Sequence, residues 1–304
     1  MARAVEPVRL AAIGVGSFGQ TLAEGVKASG VAEITTCYSP TEAHRLAFAA
    51  RIGCTVASTY EEVLADPNVE GVLLTTPNSL HRHQIEAAAR HGKHVFVEKP
   101  IALTVADGVA ATRACAQAGV VLAVGHQSRR QAGIRRLKTL IDSGELGEVF
   151  SVEANISNDN GMHVRPGAWR WSRAECPGGP LIQLGIHHID TLRYLLGPIA
   201  RVYGVQRHRL IQAEIDDASG TLLEFESGII GHLTSHYATA HASDIRIMGS
   251  KANACFEAIL GLRILYHTRE HVLQETIRLP ALDPVREEMA EFAHCIRTVS
   301  YTHL

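Results

Sequence analysis

Up to residue 124, short apolar runs alternate with stretches whose apolar residues recur every three or four positions. The runs at 8–15, 34–38, 69–75, 95–97 and 120–124 read as strands, and the stretches at 21–29, 41–51, 80–91 and 105–118 as helices. Gly30, Gly53, Gly92 and Gly119 stand where each helix should stop, a position that favours a left-handed backbone. Residues 69–75 are apolar without alternation, as a parallel strand buried on both faces should be. Strand and helix repeated at this spacing predict an α/β, doubly wound parallel sheet.

After Gly125 the pattern changes. Residues 134–143 suit a helix, and 148–156 then alternate, with Phe150, Val152, Ala154 and Ile156 on one face and Ser151, Glu153 and Asn155 on the other. Two-residue periods return at 221–225, 229–237, 244–248 and 252–257, with Glu226-Ser227-Gly228 and Gly249-Ser250-Lys251 as turns between them. Short turns imply antiparallel pairing, and a sheet with one apolar face needs helices to cover it. The reading is therefore two domains, 1–124 with the parallel sheet and 125–304 of α+β type. Residues 285–297 form an amphipathic helix with Met289, Phe292, Ala293 and Ile296 on one side.

Composition narrows the function classes. A formal net charge of -2 gives no basic excess to displace phosphate counterions, so nucleic acid is not an expected partner. No apolar run approaches the roughly 20 residues of a membrane span, and no apolar signal core follows Met1. The six cysteines include no Cys-x-x-Cys pair and read as reduced, buried thiols, and the chain as cytoplasmic.

The first chemistry lies at Gly14-Val15-Gly16-Ser17-Phe18-Gly19, a G-x-G-x-x-G between a strand and a helix. Gly14 permits the tight turn, Gly16 lets backbone approach a pyrophosphate, and Gly19 lets helix and strand pack closely. Free N–H groups at the helix start, from Ser17 and Phe18 onward, receive the anion. This is the fingerprint of a Rossmann dinucleotide site. The acid expected some 20 residues on is replaced by Ser39, which neither accepts the ribose hydroxyls as a carboxylate does nor repels a 2′-phosphate. His44 and Arg45 follow closely, so NAD and NADP both stay open. Ser39 also suits capping the helix that follows.

Residues 94–100 end the next strand in Glu98-Lys99-Pro100, where a lysine can hydrogen-bond a substrate hydroxyl and favour its alkoxide. Together with residues 14–19, Thr75-Thr76-Pro77-Asn78-Ser79-Leu80-His81 and the run from Gly178 to Asp190, this segment resembles the Gfo/Idh/MocA family of oxidoreductases. The resemblance covers residues 8–298. It implies a Rossmann domain, then a domain with a large open, mostly antiparallel sheet that commonly forms homo-oligomers, and hydride transfer between NAD or NADP and a carbohydrate-like carbinol.

On that resemblance Lys99 is the catalytic lysine, close to nicotinamide and the reacting oxygen, while Thr76, Asn78, His81, Glu98 and Gln127 are cofactor positions. His187 matches a family histidine able to exchange a proton near neutrality. Gln183, four residues earlier on the same helix face, stands where the family often has Asp; an amide orients a hydroxyl but carries no proton. His188 points about 100° away and reads as structural, and Asp190 as an orienting or capping group. Arg129, Trp169 and Arg170 fall on the substrate side; aromatic packing beneath a solvated arginine explains the last two equally well.

The expected enzyme is an NAD(P)-dependent dehydrogenase acting on a sugar, cyclitol or related polyol, with Lys99 and His187 handling the hydroxyl proton. A cofactor-assisted glycosidase on the same scaffold and a non-catalytic dinucleotide-binding regulator are the rivals. The pairs His81/His83 and His91/His94 lack a third ligand at a useful spacing, so no metal is expected. Family members usually continue past residue 299, so the chain reads as C-terminally truncated, with residues 300–304 foreign to the fold.

Overall fold

The computed structural model describes residues 6–267 and 272–298. They form two compact units, one within Met1–Gln127 and Asp283–Leu304 and the other within Ser128–Leu282. The first contains β1 (Val8–Ile13), α1 (Ser17–Ser29), β2 (Ala32–Tyr38), α2 (Glu42–Ile52), β3 (Thr55–Val56), α3 (Tyr60–Ala65), β4 (Gly71–Leu74), α4 (His81–Arg90), β5 (His94–Glu98), α5 (Val105–Ala118) and β6 (Leu122–Gly125). The second contains α6 (Ala132–Asp142), β7 (Val149–Ser157), α7 (Ile186–Leu196), β8 (Ile199–Arg207), β9 (Ala218–Phe225), β10 (Ile230–His236), β11 (Ala242–Gly249), β12 (Ala252–Glu257), β13 (Gly261–His267) and β14 (Val272–Ile277). The final helix, α8 (Pro284–Thr298), belongs to the first unit.

The six strands of the first unit are all parallel, in the order β3-β2-β1-β4-β5-β6. Alternate residues of each strand enter opposite cores. Ile13, Leu74, Val95 and Val97 pack with Ile85, Ala88 and Ala111, whereas Leu10, Leu73 and Phe96 pack with Leu22, Val26, Met289, Phe292 and Ile296. Burial on both faces is why these strands read as unbroken apolar runs. The order reverses between β1 and β4, the switch point at whose carboxyl side ligands bind in open α/β sheets.

The second unit has an eight-stranded sheet, β14-β13-β12-β11-β7-β10-β9-β8, antiparallel except between β7 and β10. Ile134, Leu137 and Leu140 of α6 and Leu192 and Leu195 of α7 close over Val152, Leu223, Leu233, Ile245 and Ile247 on one face. On the other, Tyr203, Leu222 and His232 lie side by side across β8, β9 and β10.

The structure departs from the sequence reading in three places. The second domain was expected to run to the end, but α8 returns to the first unit, because its apolar stripe completes a core with β1, β5 and α1; Phe292 meets Phe96 edge to face at 5.7 Å between ring centres. Phe150 does not share the burial of Val152: it is 61% exposed, at the end of β7 beside a register shift in β11. The helix after Ser39 is capped by Thr41 in extended conformation, without a side-chain bond, so Ser39 is not the cap. The reading of residues 300–304 lies outside the described residues. Among those described, no helix is long and apolar enough to cross a membrane.

Candidate cofactor and substrate sites

The residues that the sequence ties to a dinucleotide fall at carboxyl ends of the parallel strands: 14–19 after β1, Ser39 after β2, 76–81 after β4, Glu98 and Lys99 at the end of β5, and Gln127 after β6. Each glycine of the first loop has a separate reason. Gly14 has φ +86°, and a Cβ there would lie 2.7 Å from the Thr75 carbonyl oxygen. A Cβ on Gly19 would come within 2.4 Å of the Gly14 carbonyl oxygen, so the first turn of α1 seats on the loop only without a side chain. Around Gly16 a Cβ would meet nothing within 4 Å, and Gly16 caps α1 with no side-chain hydrogen bond. Open space over a helix start with no acid in its first turn suits a pyrophosphate. Ser17 is exposed and Phe18 packs partly into the core beneath the sheet.

Thr75 is a residue that the sequence reading did not assign. Its Oγ1 donates to the Gly14 carbonyl at 2.5 Å, and its N–H donates to Ile13 O at 2.8 Å, fixing the glycine turn from β4. At the end of β2, Ser39 is buried and its carbonyl accepts from Arg45 Nη1 at 3.0 Å, which holds Arg45 against this strand end; His44 is exposed.

The loops after β4 and β5 are tied together. His81 is fully buried, with Nδ1 2.7 Å from Pro100 O and Nε2 3.0 Å from Thr76 O. It therefore bridges the loop carrying Asn78, itself buried, to the loop carrying Lys99, which is half-buried. Thr76 Oγ1 donates to Gln84 Oε1 at 2.5 Å. The other histidines of the two pairs are committed or turned out: His91 Nδ1 meets its own helix at Ala87 O, His94 Nδ1 accepts from Val121 N–H, and His83 is exposed.

Glu98 is buried against Gly125, where a Cβ would lie 2.4 Å from Glu98 Oε1. The next peptide, His126 N–H, donates to Glu288 Oε1 at 2.8 Å. Glu288, 3% exposed, comes from α8 and was also missed. Its signal was present: on a helix it falls one turn before Phe292, a carboxylate on an apolar stripe. Immediately beyond, Gln127 Oε1 is a buried acceptor with no hydrogen-bond partner among the described residues. An acceptor left this way, together with the open space at Gly16, fits a dinucleotide whose carboxamide brings N–H donors.

In the second unit, a π-helical turn at Leu181–Gly185 runs directly into α7. The sequence reading placed Gln183 and His187 on one face of a regular helix; the wider turn alters that phase, and such turns recur at functional sites. Both side chains are buried. Gln183 Nε2 donates to Cys176 Sγ at 2.9 Å, and Gln183 Oε1 accepts from Arg170 Nε at 3.4 Å. His188 turns to β7, its Nε2 3.1 Å from Asn155 O, and burial lowers its pKa to about 4 against the lift from that bond. Arg129 is paired through two nitrogens with Asp190 on α7 and lies over Tyr194, so its guanidinium serves the helix that carries His187. Trp169 and Trp171 pack against Cys176, Ile215 and Tyr237, and the exposed Arg170 covers the Trp169 ring at 4.2 Å.

Residues 8–126 match the model of an oxidoreductase family with an NAD-binding Rossmann fold, and residues 134–255 match the GFO/IDH/MocA C-terminal domain. The crystal structure of an oxidoreductase from Desulfitobacterium hafniense is 35% identical, with a TM-score of 0.92 over 98% of this chain and 90% of that one. A 2,7-anhydro-N-acetylneuraminate hydratase of Escherichia coli is 31% identical over 73% of this chain and 59% of its own length. A scyllo-inositol 2-dehydrogenase (NAD(+)) of Bacillus subtilis is 29% identical over 78% and 70%. The chain spans only 50%, 57% and 59% of the length of three curated relatives that it matches.

Proposed function

The chain belongs to the GFO/IDH/MocA family of oxidoreductases, and we propose that it transfers a hydride between NAD or NADP and a carbinol of a sugar, cyclitol or related polyol. The observation that carries this reading is the position of Lys99: it directly follows β5, at the same carboxyl side of the parallel sheet as the open glycine loop of β1. Relatives named for inositol and xylose dehydrogenation support the substrate class.

Gly14, Gly16, Ser17, Phe18 and Gly19 hold the pyrophosphate; Ser39 faces the adenosine ribose; Thr76, Asn78, Glu98 and Gln127 form the nicotinamide side. His81 positions these loops from within. When bound, the nicotinamide supplies the hydride acceptor or donor. The chain's own work is on the proton. Lys99 donates a hydrogen bond to the reacting oxygen and favours its alkoxide, and His187 takes the hydroxyl proton in oxidation and returns it in reduction. Gln183 and Arg170 orient the substrate; Arg129 fixes α7 through Asp190. Catalysis rests on position and electrostatics, not on a covalent intermediate.

The open face of the eight-stranded sheet exposes Tyr203, Val205, Leu222 and Ile230, which supports its use as a surface between copies of the chain. The reading also places the enzyme in the cytoplasm. The test is nicotinamide absorbance across sugars, inositols and sugar acids with each cofactor. Reduction with at least one carbinol is expected; release of an aglycone with no net change in cofactor redox state would point to glycoside cleavage instead.

A further inference from the structure

Arg170 is held in a defined place by two neighbours. Its guanidinium carbon lies 4.2 Å from the centre of the Trp169 ring, and its Nε donates to Gln183 Oε1 at 3.4 Å. The amide cannot swing away, because Gln183 is 94% buried by its 6% exposure and its Nε2 is bonded to the buried Cys176 sulfur. A neutral amide takes one N–H of the guanidinium and none of its charge. Among the described residues no carboxylate lies within ion-pair distance of Arg170, and the acid on the neighbouring helix, Asp190, is already paired with Arg129. Both terminal nitrogens of Arg170 thus remain as a fork beside the segment that carries His187. A stacked, pre-oriented fork with uncancelled charge matches a planar oxyanion far better than it matches a hydroxyl.

We propose that Arg170 pairs with an oxyanion on the substrate, and that the substrate is an acidic carbohydrate, a sugar carboxylate or a sugar phosphate. This rests on the reading of the chain as a carbohydrate oxidoreductase and names the substrate class within it. Gln183 is then a specificity residue: a carboxylate in its place would neutralise the arginine.

The test is calorimetric titration of the NADH-loaded protein with D-gluconate, D-glucuronate, D-glucose 6-phosphate and D-glucose. At least one anion binds about tenfold or more tightly than glucose, the scale of a charge-assisted hydrogen bond, and the preference weakens with added salt. Which anion gains separates carboxylate from phosphate. Arg170→Met brings the anion-to-glucose ratio close to one, and Gln183→Glu lowers it in the same direction. Glucose binding as tightly as every anion, or a ratio that survives Arg170→Met, overturns the assignment. Nicotinamide absorbance with the same ligands keeps the two readings apart. Arg170-dependent anion binding with no hydride transfer to or from any carbinol counts against the oxidoreductase reading alone, whereas glucose oxidation without an anion preference counts against this inference alone.

Discussion

Two lysines of the same strand region show how little residue type alone decides. Lys93 is buried, with Nζ donating to Asp66 O and Val69 O at 2.7 Å, and burial lowers its pKa; it closes a loop at the amino end of β5. Lys99 stands at the carboxyl end, the side on which open α/β sheets bind their ligands. Lys99→Ala should cut turnover by about 10²-fold or more, with NADH affinity moving far less; steady-state kinetics beside a fluorescence titration would show it, and turnover within a few-fold of the parent removes Lys99 from the mechanism. Ser39 stands at the end of β2, where a Rossmann site that prefers NAD carries an acid. Ser39→Asp restores a ribose acceptor and repels a 2′-phosphate, so the NAD-to-NADP ratio of kcat/KM should rise about tenfold or more; an unchanged ratio contradicts the placement. His188 gives a stability prediction with a definite sign. An unfolded histidine takes up a proton near pH 6.5, whereas His188 in the fold does so only at about 4. Between those values the unfolded chain binds more protons, so the contribution is intact above pH 6.5 and is lost as pH falls toward 4, by up to about 3 kcal/mol. Urea melts at pH 7 and pH 5 should show a smaller loss in His188→Gln than in the parent. Equal losses would mean that other groups govern the acid limb.

At the scale of elements, what the sequence shows depends on how local its cause is. The limits of α5 are read correctly from its own pattern because Thr104 caps it by accepting from Asp107 N–H and Gly119 ends it at φ +67°. The glycine loop is legible for the same reason. By contrast β3 is two residues long and β8 is exposed along most of its length, so neither carries a periodic signal. The parallel pairing of β7 with β10 is set by the path through α7, β8 and β9, and no local pattern encodes it. The π-turn at Gln183 and the bond from Thr75 to Gly14 are likewise products of packing. Glu288 is the instructive miss, since its place on the stripe of α8 was visible but its partner, the peptide of His126, lies 162 residues away. Removing that acceptor leaves the part-buried His126 N–H without it, at up to about 1–3 kcal/mol, and loosens the segment that leads into Gln127. Glu288→Met should therefore weaken NADH binding about tenfold, while Glu288→Gln, which keeps an oxygen at the same place, stays near the parent. ADP-ribose, which lacks the nicotinamide, separates positioning from general loosening: its affinity should change little. An equal loss for both ligands would make Glu288 a purely structural group.

For the whole molecule, the second unit is an insertion between β6 and α8 of the first. Each unit keeps its own core, and α6 and α7 cover one face of the eight-stranded sheet. The other face presents Tyr203 at 72%, Leu222 at 44% and Ile230 at 50% exposure on three adjacent strands. Tyr203 and Leu222 are direct cross-strand neighbours, and Ile230 lies opposite Glu224, two pairs further along β9 and on the same face. Exposed apolar side chains grouped on one face favour association when a complementary surface is at hand, and a two-fold dimer sets the same patch of each copy against the other. Charge on the patch should oppose this without disturbing the fold, because surface substitutions away from special contacts usually change stability by no more than about 0.5 kcal/mol. Sedimentation velocity is expected to find the parent as an oligomer and the double variant Tyr203→Glu, Ile230→Lys shifted to smaller species, with matching thermal melts. The substituted residues lie outside the strand-end loops, so NADH titration of the double variant checks that the dinucleotide unit is intact. A parent that sediments as a monomer at all concentrations, or a double variant that remains fully assembled, would remove the sheet face from the assembly and leave its exposed tyrosine, leucine and isoleucine without a partner surface.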